Sequence, residues 1–177
     1  MVLYSFAGNA EDGGYPIGDL VAVKGTLYGT TQTGCTVCTD LGRCGTVFSL
    51  DPATGAGTVL HLFDVGADGD YPWAGLVAVK GMLYGTTAGG GPHSGCESYQ
   101  YYTGCGTVFA LDPATGTETV VYASCGQESC KDGSHPYARL LDVKGTLYGT
   151  TLLGGHCKAD RKDGCGTVFS LDPATGA

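Results

Sequence analysis

Three near-copies of one seven-residue stretch constrain this chain more than any other feature. Gly25-Thr26-Leu27-Tyr28-Gly29-Thr30-Thr31 returns as Gly81 to Thr87, with Met82 in second place, and again as Gly145 to Thr151. Each copy follows a Val-Lys pair. Beyond a variable, cysteine-bearing loop, each precedes Cys-Gly-Thr-Val-Phe-x-Leu-Asp-Pro-Ala-Thr-Gly. Self-similarity at a period of roughly 60 residues makes the chain an array of one supersecondary unit. The units run over residues 2–57, 58–118 and 119–177 and are expected to form one repeat domain. A residue that recurs three times serves the scaffold before it serves a reaction.

Each unit reads as four short strands. Val2 to Phe6, Val59 to Phe63 and Val120 to Ser124 are β-branched and aromatic runs, the composition of a pleated, packed surface. Thr58 and Thr119 precede the last two runs, so Met1 is read as replacing a Thr of a longer array. A polar loop ending in Asp-Gly-x-x-Pro follows, at Asp12, Asp68 and Asp132. Asp and Gly supply turn geometry, and Pro fixes φ where extended structure resumes. Tyr15-Pro16 and Tyr71-Pro72 are candidates for cis bonds. Leu20 to Val23, Leu76 to Val79 and Leu140 to Val143 are nearly continuous apolar runs, read as strands buried on both faces. Lys24-Gly25, Lys80-Gly81 and Lys144-Gly145 are two-residue hairpin turns into the Leu-Tyr-Gly-Thr-Thr strand. A last strand at Thr-Val-Phe ends in Asp-Pro-Ala-Thr-Gly, which fits a type I turn closed by a left-handed glycine.

Four-stranded antiparallel sheets repeated radially are the blades of a β-propeller, so the expected fold is an all-β propeller with three blades per chain. Solenoid coils repeat in ~20–30 residues, and a sandwich needs no near-identical thirds. Three blades are too few for a ring of the usual ~4–8. The chain opens on a fourth strand, Val2 to Phe6, and stops at Ala177 just before another is due. An unpaired strand edge invites pairing, and a head-to-tail contact that closes makes a ring. The expected assembly is therefore a homo-oligomer completed by strand exchange: a dimer with six blades, or next a trimer with nine.

A net charge of −8, with nine dispersed Lys and Arg residues, argues against nucleic acid, whose phosphates demand clustered cations. No stretch approaches the ~20 apolar residues of a membrane span. The 32 glycines and 15% charged residues suit a turn-rich all-β chain and not a disordered one. Nine cysteines are many for a reducing compartment. With no signal peptide ahead of the repeats, the chain is read as part of a larger secreted or cell-surface protein.

Leu-Tyr-Gly-Thr-Thr, Gly-Thr-Val-Phe-x-Leu-Asp-Pro-x-Thr-Gly and Asp-Gly-x-x-Pro, in this order in each unit, resemble the bacterial extracellular tandem repeats of GloVer type. The resemblance covers residues 2–177. It implies an extracytoplasmic, propeller-like repeat and carries over no catalytic residue. The cysteines in the loops depart from the plainer Gly-rich loops of such repeats.

Those cysteines bracket their loops. Cys96 pairs with Cys105, Cys157 with Cys165, and Cys125 with Cys130; the first loop offers Cys35 and Cys38 to Cys44. The disulfide set is written with Cys38 and Cys44, and the choice between Cys35 and Cys38 stays open. Each bridge closes a loop of ~10 residues, worth roughly 2–3 kcal/mol. Zinc wants four ligands in tight pairs and no single loop supplies four, so no metal and no cofactor is expected. Asp12, Asp68 and Asp132, like Asp51, Asp112 and Asp172, are read as turn caps. Neither Gly-x-Ser-x-Gly nor His-Glu-x-x-His occurs, and His61 is read as a packed or edge residue of its strand. The variable loops fall on one face, where binding residues usually sit. Asp19, Trp73, Tyr137 and Arg139 are expected near the channel mouth there, with Tyr99, Tyr101 and Tyr102 in the longest loop. Aromatics with a few polar partners suit a glycan or surface ligand. The expected function is a non-catalytic extracellular scaffold, the alternative a secreted carbohydrate-binding or carbohydrate-active propeller, lectin or glycosidase.

Overall fold

Hairpins between strands adjacent in sequence build three antiparallel sheets. The computed structural model describes residues 1–9, 11–34, 43–64, 66–93, 96, 103–157 and 164–177. The first sheet has the order β1 (Val21–Val23), β2 (Thr26–Thr33), β3 (Arg43–Leu50), β4 (Gly57–Leu62). The second repeats it as β5 (Val77–Val79), β6 (Met82–Thr87), β7 (Thr107–Leu111), β8 (Glu118–Ala123). The third has three strands, β9 (Leu141–Val143), β10 (Thr146–Thr151) and β11 (Thr167–Leu171). The innermost strands β1, β5 and β9 approach one another in turn. One 3-10 turn, Glu128–Cys130, is the sole helical element among the described residues.

The turns form as their residues dictate. Lys24 and Gly25 take φ of 50° and 88°, with the same pattern at Lys80-Gly81 and Lys144-Gly145. Two successive positive φ values define the hairpin turn whose twist matches its strands. In the Asp-Pro-Ala-Thr-Gly turns the amides of Ala53, Ala114 and Ala174 each donate to the preceding Asp side chain at 2.8 Å. This donation, with a bond from the Thr54 side chain, holds the Asp51 carboxyl below its ordinary range.

The Leu-Tyr-Gly-Thr-Thr stretch has a task for nearly every residue. Leu83 and Leu147 are fully buried. Gly29 pairs with Phe48, Gly85 with Phe109 and Gly149 with Phe169. A Cβ on Gly29 would lie 2.6 Å from the Phe48 ring, so glycine is what lets the ring cross the strand. Thr31, Thr87 and Thr151 share hydroxyl bonds of 2.7–2.8 Å with Thr46, Thr107 and Thr167. The preceding threonines reach the next sheet: Thr30 donates to the Ala74 carbonyl at 2.9 Å, and Thr86 to that of Ala138 at 3.4 Å.

Apolar layers fill the space between sheets. Val47, Phe63, Leu76, Leu83, Phe109 and Leu111 lie between the first and second. Val77, Val79, Val108, Leu140, Leu147 and Leu171 belong to the cluster between the second and third.

The structure corrects three expectations. First, Leu76 to Val79 is buried as expected, but Leu20 is 50% and Leu141 61% exposed. An inner strand is covered on both faces only when a sheet packs on either side, and only the middle sheet has that. Second, no peptide bond among the described residues is cis; Tyr15, Tyr71 and His135 take φ of 55°, 56° and 58° instead. Third, Val2 to Phe6 forms no sheet ladder among the described residues, because no third strand lies beside it. Its Leu3 carbonyl nonetheless meets the first-sheet turn at Gly55, just as Leu60 meets Gly116 and Val121 meets Gly176.

Candidate functional site

The three segments that lead into the inner strands converge on the loop face. A Cβ on Gly18 would lie 2.5 Å from the Gly75 amide nitrogen, and one on Gly75 would lie 2.5 Å from the Asp19 carbonyl, so both must be bare. This approach sets Asp19 against the third segment, where its carboxylate lies 4.0 Å from the Arg139 guanidinium. Arg139 Nε donates to the Leu76 carbonyl at 3.1 Å. The Trp73 and Tyr137 rings lie 6.0 Å apart and tilted, packed against buried Tyr71 and Ala88. Four of the residues expected at the channel mouth thus meet as two pairs, Asp19 with Arg139 and Trp73 with Tyr137. The ion pair is solvent-exposed, with 43% and 80% of the two side chains accessible, so it contributes little to stability and leaves both charges open to a ligand. Tyr99, Tyr101 and Tyr102 lie outside the described residues.

The bracketing cysteines pair as expected at Cys96–Cys105, Cys125–Cys130 and Cys157–Cys165. Cys44 is disulfide-bonded; its expected partner, Cys38 or Cys35, lies outside the described residues. The loops of neighbouring sheets interlock through the backbone: Tyr71 N–H donates to Cys44 O at 2.9 Å and His135 N–H to Cys105 O at 2.8 Å. Burial holds the His135 imidazole below its ordinary value.

A second polar feature runs along the outer strands. Tyr4 donates to Asp12 at 3.2 Å, His61 Nε2 lies 3.2 Å from Asp68, and Tyr122 donates to Asp132. The same carboxylates cap backbone turns, Asp12 accepting from Ala7 N and Asp132 from Gly126 N and Gln127 N. Turn capping was legible; the bond to the outer strand was not. Aligning Tyr4, His61 and Tyr122 as one place in the repeat is the signal that finds it. Burial and then the Asp132 carboxylate hold the Tyr122 hydroxyl far above its ordinary value. Glu118, where β8 begins, is pushed up to about 7, chiefly by burial; Asp68 adds to the shift and His61 opposes it. A carboxyl that keeps its proton to neutral pH beside a His–Asp pair is where acid–base chemistry would be sought.

The third sheet presents a wide opening. Along β11 an open groove of about 440 Å³ is lined by Tyr122, Asp132, Val168, Phe169 and Leu171 among others. Val168, the counterpart of buried Val47 and Val108, is 80% exposed.

A family model for the Gloeobacter/Verrucomicrobia repeat matches residues 1–177. No curated protein matches. Among solved structures, a chain of the crystal structure of a nidogen/laminin complex is similar with a TM-score of 0.53 at 16% identity. The alignment covers 92% of this chain and 45% of that one, so this chain spans less than half the length of that structure. A likeness at this identity speaks to the fold alone, which is propeller-like.

Proposed function

Because the chain belongs to the Gloeobacter/Verrucomicrobia repeat family, we propose that it is a non-catalytic extracellular scaffold module that assembles head to tail into a closed propeller. Three disulfides and the absence of any long apolar helix among the described residues fit a secreted or surface protein. The observation that carries the proposal is the match between two places. Residues 2–6 rest on the first sheet as β4 rests on the second and β8 on the third, while β11 offers the uncovered edge that such a strand would pair with. By the register of β3 with β4, Thr167 would face Ser5 of a second copy, Val168 would face its Tyr4 and Phe169 its Val2. Two copies make six blades, the preferred ring, and three make nine.

Light scattering on the non-reduced protein tests this. A mass of about twice the 18.0 kDa chain is expected, with about three times as the nine-bladed form. A monodisperse monomer at high concentration overturns the assembly.

The loop-face patch favours a second reading, a carbohydrate-binding or carbohydrate-active propeller. Trp73 and Tyr137 supply aromatic faces, and Asp19 and Arg139 supply flanking charge. Glycan-array binding lost in Trp73→Ala, with no release of reducing sugar, would identify a lectin. Sugar release abolished by Glu118→Gln would identify a hydrolase.

A further inference from the structure

The disulfide of the second repeat, Cys96–Cys105, touches one of the two in the third, Cys125–Cys130. Cys96 and Cys105 sit in the loop between β6 and β7, and Cys125 and Cys130 in the loop between β8 and β9. The Cys96 sulfur lies 3.7 Å from that of Cys130, and the sulfurs of Cys96, Cys125 and Cys130 all lie within 4.8 Å of one another. The fourth sulfur, Cys105, is bonded to Cys96 and lies 3.4 Å from the His93 carbonyl oxygen. The His93 ring reaches over Gly126, directly after Cys125. Two backbone bonds, Ser124 N–H to Gly106 O at 3.0 Å and His135 N–H to Cys105 O at 2.8 Å, fasten the loops together independently of sulfur chemistry.

We propose that, once reduced, Cys96, Cys105, Cys125 and Cys130 form a tetrathiolate site for a soft divalent cation such as zinc. A tetrahedral metal with bonds of about 2.3 Å to sulfur sets its ligand sulfurs about 3.8 Å apart. The Cys96–Cys130 separation already has that value across the loops. Within each pair the sulfurs must part once the bond is broken, and Cys105 must turn toward the other three. No single loop supplies four ligands, but these two adjoining loops do. The 125–130 pair has the short spacing of a structural zinc site. The counterparts do not: the segment facing the Cys44 loop, Asp64 to Pro72, holds no cysteine.

The chemistry balances with an added reductant. Each disulfide takes two electrons from a phosphine and two protons from a water molecule, whose oxygen ends on the phosphine oxide, and the two bridges give four thiols. A bound divalent cation then displaces the four thiol protons, so affinity rises with pH.

The test is anaerobic titration of the phosphine-reduced full chain with Co²⁺, followed by zinc competition. Uptake of about one Co²⁺ per chain with thiolate charge-transfer absorption is expected, lost in Cys125→Ser/Cys130→Ser and retained in Cys157→Ser/Cys165→Ser. A wild-type measurement removes dependence on the variants' folding: zinc should slow alkylation of Cys96, Cys105, Cys125 and Cys130 at least tenfold over Cys157 and Cys165. Uptake unchanged by the Cys125/Cys130 change, or protection that is absent or equal at Cys157 and Cys165, overturns the site.

Discussion

The second and third sheets carry nearly the same residues and live in different surroundings. Val108 on β7 is 1% exposed and Val168 on β11 is 80% exposed. Both follow a Gly-Thr pair, both precede Phe, and both pair with a threonine of the second strand. What differs is the neighbour: β8 covers β7, and no described strand covers β11. Burial here is a property of the array and not of the repeat. A valine chosen for an interior remains on a surface because its unit is copied whole.

The largest effect that could break this comparison is a charge placed at the two valines. Val108→Asp buries an unpaired carboxylate and should cost more than about 4 kcal/mol in a urea titration. Val168→Asp should leave unfolding of the separate chain within about 0.5 kcal/mol and instead abolish assembly in light scattering. Equal costs in a proven monomer would mean that β11 is covered from within the chain.

Hydrogen exchange sharpens the same contrast. Amides of β7 that face β8 should exchange only with global opening, while the outward amides of β11 exchange with the loops. Slowing of the β11 amides with rising protein concentration would place the missing strand on a second copy.

The smallest effect concerns the start of β8. Glu118 is pushed up to about 7 from an ordinary value of 4.5, chiefly by burial. The folded chain therefore binds the extra proton between those values, so stability should fall as pH rises from about 4.5 to 7. Glu118→Gln should flatten that slope in thermal melts across the window. An unchanged slope would show that Glu118 is solvated.

The turns and ladders were legible because their causes are local. Lys-Gly needs only its own φ angles, and Gly29 under Phe48 follows from register within one hairpin. The burial of Leu20 and Leu141 was misread because it depends on a neighbouring sheet. At the loop face, Asp19, Trp73, Tyr137 and Arg139 emerged from asking where the repeats differ. The contact of Cys96 with Cys130 did not, since it joins loops 34 residues apart. Sequence spacing within a repeat has no term for a bond between repeats.

The phase between sequence unit and sheet has an evolutionary consequence. Each four-stranded sheet takes its outermost strand from the start of the following sequence unit, as β4 does from residues 58–118. A duplication of one whole unit therefore inserts a sheet already interlaced with both neighbours, and the ends of the array keep their shape. Such a gene can lengthen or shorten by recombination between its own near-identical segments without passing through a misfolded ancestor. The loops, whose bonds between sheets run through backbone atoms, are then free to diverge in side chain copy by copy.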